Sequence, residues 1–375
     1  MPHYIRFLKP PQQVPANRGL VNVDCLITIT NDLGDEFLWE TVPLTAILLV
    51  ENAKGCIPLV KKELDWESGR RDVKITFGSM KPVAQSSNVR VYVAMGPDAD
   101  ANGCTLSESG VPPVIAAWSA RFGGCYDAKA KKLVERRFHP GSGPPIAIWE
   151  ETGESIARHL WDAALATTIA IQRTTRDSEW LPCLASIFNQ QKGNGKSSSK
   201  ERQIIELGTG CGMVGLYIAQ TFPQTSVLLT DLEDARDIVQ LNLSQGQLAT
   251  GSSAKFEVLD WNEELPANVQ QMKPDMVMVS DCTYNEDSFT ALTQTLSRLT
   301  DISPHLLILV TYKKRHQSEK AFFQCMMNHN FKVCGQSTIP LPDLTAEDGL
   351  QNVHIFAFLR GDATSSQCAE NSLKS

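Results

Sequence analysis

The chain has 375 residues, 42% of them hydrophobic and 21% charged, with a formal net charge of -7, which is enough for two domains with full cores. An acidic balance excludes a protein whose affinity rests on broad phosphate neutralisation, so nucleic acid is not the expected partner. The longest apolar run, Val42 to Val50, is too short to span a bilayer, and Met1 to Pro15 carries prolines and charges where a secretory signal would be apolar, so no membrane association is expected. These features predict a soluble intracellular protein, cytoplasmic, with the nucleus as a second location. The ten cysteines form neither a CxxC pair nor a Cys/His cluster at ligand spacing, which predicts no metal site and no redox motif. Cys211 and Cys282 read as small apolar fillers.

From Val21 to Arg121, short β-branched runs alternate with Gly, Pro, Asn and Asp: Leu26–Thr30, Thr45–Val50, Asp72–Phe77, Val89–Val93 and Val114–Trp118. Period-2 alternation with turn chemistry between runs predicts a small antiparallel β domain. It holds no catalytic constellation. The breaker-rich Gly141–Pro145 stretch marks its expected end. After Glu150 the period lengthens, with Ile156, Leu160, Ala163, Ala164, Thr167, Thr168 and Ile171 along one helical face. The run Phe188 to Arg202 is polar, a surface insertion. Beyond it, candidate strands Ile204–Glu206, Ser226–Thr230, Lys255–Val258, Met276–Ser280 and Leu306–Val310 are separated by helix-length segments, which calls for parallel crossovers. Lys332–Thr338 and His354–Phe358 are close enough to pair antiparallel at an edge. The expected architecture is α/β: a β-rich accessory domain over 1–145, a doubly wound, mostly parallel seven-strand sheet over 146–360, and a disordered tail over 361–375.

The first of those strands ends on Glu206 and runs into Gly208-Thr209-Gly210-Cys211-Gly212 before an apolar helix. Glycines there allow positive φ and let a ligand approach the main chain. Gly208-x-Gly210-x-Gly212 suits S-adenosylmethionine, whereas Gly210-x-Gly212-x-x-Gly215 also satisfies the dinucleotide fingerprint. In an open parallel sheet, residues just after each strand face the ligand, and acids stand at four such places: Glu206, Asp231, Asp260 and Asp281. Asp231 is placed to accept ribose hydroxyls from either cofactor. Asp260 beside Trp261 favours an adenine, its amino group on the carboxylate and its face under the indole; the alternative is a core aromatic. Asp281, at the fourth strand, lies where the reactive end of a cofactor would be. A lysine amine, which must lose its proton to attack a methyl group, is the natural acceptor, oriented by Asp281 with Tyr284 lining the channel. The alternative for Asp281 is a helix N-cap.

From about Glu151 to Leu359 the chain resembles the seven-strand S-adenosylmethionine-dependent methyltransferases of the lysine methyltransferase group called methyltransferase family 16. The resemblance rests on Thr152-Gly153, Leu160-Trp161-Asp162-Ala163-Ala164, Glu206-Leu-Gly-Thr-Gly-Cys-Gly212, Leu229-Thr-Asp231-Leu232 with Asn242, Leu259-Asp260-Trp261, and Asp281-x-x-Tyr284. It implies a Rossmann-like fold of the class I methyltransferases, with Trp161 against the cofactor, Gly208, Gly210 and Asp231 holding it, and Asp281 and Tyr284 facing the acceptor. Tyr312-Lys313-Lys314-Arg315 sits where the family carries an aromatic-to-basic segment. The implied activity is protein-lysine N-methylation of a partner such as a translation elongation factor, with S-adenosyl-L-methionine as cofactor and no metal. The larger β-rich lead-in, which suggests substrate recruitment, and the insertion at 193–200 depart from the smaller family members. Competing readings are a small-molecule N-methyltransferase, a nicotinamide-dependent oxidoreductase, for which no Tyr-x-x-x-Lys relay is evident, and a non-catalytic adenosylmethionine-binding scaffold.

Overall fold

The computed structural model describes residues 1–52, 55–81, 88–97, 101, 103–108, 110–124, 126–151, 156–189, 201–283, 285–315 and 320–361. Two compact units are formed, one from 1–139, 145–160 and 341–351, the other from 140–144, 161–340 and the chain from 352 onward. The first unit therefore continues past the Gly141–Pro145 stretch and takes in a late segment that no local signal marks.

The first unit is all β. Its strands are β1 (His3–Pro15), β2 (Val21–Thr30), β3 (Val42–Asn52), β4 (Gly55–Trp66), β5 (Val73–Met80), β6 (Asn88–Met95), β7 (Cys104–Leu106), β8 (Val114–Ile115), β9 (Ala117–Ser119), β10 (Leu133–Pro140) and β11 (Ile146–Glu151). They build a four-stranded sheet, β5-β2-β1-β8, and a seven-stranded one, β11-β10-β9-β6-β3-β4, with β7 alongside β10. The apolar run Val42 to Val50 is β3, paired antiparallel to β4 on one side and β6 on the other, so its continuous hydrophobicity reflects a central strand. Five strands escape the sequence pattern: β1, β4, β7, β10 and β11. β1 contains Pro10, Pro11 and Pro15 and loses its period at register shifts between Phe7 and Gln12, while β10 and β11 flank the glycine-proline turn and pair antiparallel across it. Arg90 and Arg136 are fully buried here, Arg90 beside Glu51 and Glu135 and Arg136 against Glu150, so burying these cations is offset by pairing.

The second unit contains α1 (Asp162–Arg176), α2 (Pro182–Phe188), β12 (Arg202–Leu207), α3 (Met213–Thr221), β13 (Thr225–Asp231), α4 (Arg236–Gln245), β14 (Ser253–Val258), α5 (Ala267–Gln270), β15 (Met276–Ser280), α6 (Phe289–Ile302), β16 (Leu307–Lys313), α7 (Lys320–Asn328), β17 (Phe331–Pro342) and β18 (Leu350–Arg360). Its sheet order is β14-β13-β12-β15-β16-β18-β17. β14 to β16 run parallel through β12, and β18 turns antiparallel to β16. The doubly wound sheet expected from the sequence is thus present, with all five parallel strands near their predicted positions. α1 starts at Asp162, so Ile156 and Leu160 precede the helix. Its buried threonines Thr167, Thr168 and Thr174 donate to the carbonyls of Ala163, Ala164 and Ala170, which satisfies hydroxyls otherwise costly in a core. The strand order reverses between β12 and β15, and the crevice at their carboxyl ends is where such sheets bind ligands.

Candidate active site

The loop after β12 is held from beneath. Gly208, Gly210 and Gly212 have φ of 63°, 56° and 81°, in the left-handed region that glycine enters without a Cβ penalty. At Gly208 space also decides: a Cβ would overlap the Cys282 sulfur and lie 3.4 Å from Cζ2 of Trp261. Glu206 sits under the loop, its Oε2 accepting from Thr209 Oγ1 at 2.6 Å and from the Gly215 amide at 3.0 Å. Burial pushes its carboxyl up to about 7 although both hydrogen bonds favour the anion. A side chain at Gly215 would strike the same oxygen at 2.7 Å. Thr230 Oγ1 donates to the Glu206 carbonyl at 2.8 Å, and Asn242 of α4 donates its amide to the Cys211 carbonyl at 2.8 Å. Glu206, Thr230, Asn242 and the last two glycines therefore shape the main chain.

Asp231, at the end of β13, receives the Gly210 amide on Oδ2 and the Leu232 amide on Oδ1, each at 2.8 Å. Burial raises its pKa from the ordinary aspartate value, against the pull of those amides. Each oxygen keeps a further lone pair for a donor from the crevice. Asp260 closes a local turn, its Oδ1 accepting the Asn262 backbone amide at 2.9 Å. Trp261 is half-buried and packs on the apolar cluster that includes Leu207, Leu265 and Leu292, so it is in part the core aromatic that the sequence left as an alternative. Its ring edge also reaches the glycine loop.

Among the described residues of the crevice, Asp281 is the non-glycine in left-handed conformation, with φ of 63°, a strained geometry that recurs at functional sites. The helix N-cap alternative falls to another residue: Asn285 accepts the Asp287 amide ahead of α6. The Asp281 carboxylate is gripped by Arg315 through two parallel bonds, Nη1 to Oδ1 at 2.6 Å and Nη2 to Oδ2 at 2.7 Å. The Arg315 guanidinium stands 5.6 Å from the centre of the Trp161 ring, which precedes α1. Next to it, Lys313 forms a buried ion pair of 2.8 Å with Asp162, in the first turn of α1, where a carboxylate also meets the positive end of the helix. Neither pair is legible locally; the basic run after the fifth strand was the only signal. Cys282 is buried, and burial pushes its thiol well above the ordinary range, so it is the filler expected. Tyr284, with Thr152-Gly153 and the 193–200 insertion, lies outside the described residues. Among the described residues no group of three or more His, Cys, Asp and Glu side chains is arranged to hold a metal, and no helix is long and apolar enough to cross a membrane.

The crevice fits an adenosyl cofactor: three left-handed glycines turn the loop after β12, a carboxylate with free lone pairs ends β13, and an indole stands beside the loop. Strand order and loop together define an S-adenosylmethionine-dependent methyltransferase of class I. The profile described as lysine methyltransferase matches residues 142–329. A UPF0665 family protein of Schizosaccharomyces pombe is 33% identical over 85% of this chain and 91% of its own length. Protein-lysine N-methyltransferase EFM6 of Saccharomyces cerevisiae is 32% identical over 35% of this chain, which spans 57% of that relative, and EEF1A lysine methyltransferase 3 of Mus musculus is 26% identical over 57% of this chain and 78% of its own length. The chain belongs to the lysine methyltransferase family, and its cofactor is S-adenosylmethionine.

Proposed function

We propose that this protein transfers a methyl group to a lysine of a folded protein, and that the acceptor is a translation elongation factor. The observation that carries the reading is the strained Asp281 at the end of β15, beside the glycine loop. The names of two relatives, one a protein-lysine N-methyltransferase and one an EEF1A lysine methyltransferase, support the acceptor class. Trp161, Gly208, Gly210, Gly212, Asp231, Asp260 and Trp261 would hold the cofactor, Asp231 by accepting ribose hydroxyls and Asp260 by accepting the adenine amino group. Glu206 serves by fixing the loop. When bound, S-adenosylmethionine supplies an electrophilic methyl on a sulfonium. The chain's own part is alignment and exclusion of water: Asp281 accepts a hydrogen bond from the acceptor amine and aims its lone pair, and Tyr284 completes the channel. The amine gains the methyl, S-adenosylhomocysteine leaves, and the new ammonium gives up its extra proton to solvent.

Titration calorimetry with S-adenosylmethionine, S-adenosylhomocysteine and NADH, followed by incubation with labelled cofactor and elongation factor 1A, tests this. Binding of the first two, weakened by Asp231→Ala, with transfer abolished by Asp281→Ala while S-adenosylhomocysteine, uncharged at sulfur, still binds, is the expected result. NADH binding alone would sink it, and label on small molecules alone would favour a small-molecule acceptor. The β unit is proposed to recruit the acceptor, and the cytoplasm, with the nucleus as second location, is the proposed site of action, read by microscopy of the tagged chain.

A further inference from the structure

The Asp281–Arg315 pair is more tightly made than an ordinary strand-end contact. Both carboxylate oxygens are engaged at 2.6 and 2.7 Å, with Arg315 Nη1 also 3.4 Å from the Lys313 carbonyl and the Lys313 amide 3.4 Å from Asp281 Oδ1. Oδ1 is thus held from two sides, and the left-handed backbone that carries it is fixed by the Asp281 amide donating to the Thr311 carbonyl at 2.8 Å. Among the described residues, the neighbouring charges have partners of their own. On β16 and α1, Lys313 and Asp162 neutralise one another; on β12 and β13, Glu206 and Asp231 are held by the glycine loop. Among the described residues, Arg315 is the cation that pairs with Asp281.

We infer that Arg315 is a positioning residue for methyl transfer: it cancels the charge of Asp281 while leaving its lone pairs directed, so that the crevice accepts the incoming nitrogen as an uncharged amine rather than as an ammonium. This rests on the reading of Asp281 as the acceptor-side group. A bare carboxylate would bind an ammonium more strongly and so hold the nitrogen in its unreactive form. A neutral, bidentate pair keeps the hydrogen-bond acceptor and removes most of that attraction. A guanidinium suits the task because it stays charged and its fork fixes the carboxylate plane.

The test needs no acceptor protein. Sinefungin is an adenosyl analogue in which an amine-bearing carbon replaces the methylated sulfur, so it is cationic where S-adenosylhomocysteine is neutral. The ratio of their affinities, measured by titration calorimetry at low salt and pH 7, reports the local charge. Arg315→Gln is expected to raise the preference for sinefungin by about tenfold, the effect of one unit charge several ångströms away in partly buried surroundings, and Asp281→Asn to lower it by about as much. Arg315→Lys, which keeps the charge, should hold the wild-type ratio, and the double variant should return to it. The two single variants err in opposite directions, so either one that folds gives a reading. Ratios unchanged in both, with S-adenosylhomocysteine still bound, would reduce Arg315 to a structural residue and overturn the inference. Failure of the wild type to bind either ligand would overturn the reading of the crevice itself.

Discussion

Asn242 donates its side-chain amide to the carbonyl of Cys211 at 2.8 Å, and so ties α4 to the middle of the glycine loop from a fully buried position. Cys211 is buried, so its carbonyl loses this donor in the interior when Asn242 is replaced. Asn242→Ala should destabilise the protein by about 1–3 kcal/mol, the range for stranding a buried polar group, and should weaken S-adenosylhomocysteine binding. Thermal unfolding and calorimetry read the two effects; an unchanged midpoint would show that the loop holds its shape without the tie.

Gly208 combines a left-handed backbone with contact against Cys282. Gly208→Ala is expected to abolish detectable cofactor binding. Adding Cys282→Ala removes the collision but not the conformational penalty of ~1 kcal/mol or so, so the double variant should recover part of the affinity. Full recovery would assign the glycine to packing alone, and no recovery to close approach of the ligand.

The pair Lys313–Asp162 is buried on both sides. Removing the lysine strips a buried carboxylate of its ion pair, and Lys313→Met should cost about 3–5 kcal/mol. Combined with Asp162→Leu, most of that loss should return. Denaturant unfolding of the two single variants and the double closes the cycle.

Glu206 carries a pH signature. Burial raises its folded value to about 7 from 4.5, so between those values the folded state binds more protons than the unfolded one. Its contribution to stability is complete below pH 4.5 and is lost as pH rises through about 7, by roughly 3 kcal/mol in total. Asp231, raised by burial as well, adds in the same direction. Glu206→Gln should flatten the decline between pH 4.5 and 7, measured by urea unfolding across that range; identical slopes in the variant and the wild type would mean that another group carries it.

The parallel core of the second unit was legible because four of its five strands end on or are followed by an acid, and alternating strands and helices admit few connections. The glycine loop declared its own turn. Arg315 was visible only as part of a basic run, since its partner lies 34 residues away in sequence and meets it through strand adjacency. Glu206 read as a ligand because it ends a strand; in three dimensions Gly215 leaves room for it to turn inward, and a glycine pattern does not state which way a neighbouring acid will point. β1 was missed because its prolines resemble breakers, although an irregular register accommodates them.

The first unit is closed by residues 341–351, and this sets an order of events during synthesis. At about 5–20 residues per second, β1 leaves the ribosome some tens of seconds before the segment that completes its unit has been made. A messenger cut short anywhere upstream of that segment yields a chain in which neither unit has its full complement, so both halves depend on the same stretch of sequence.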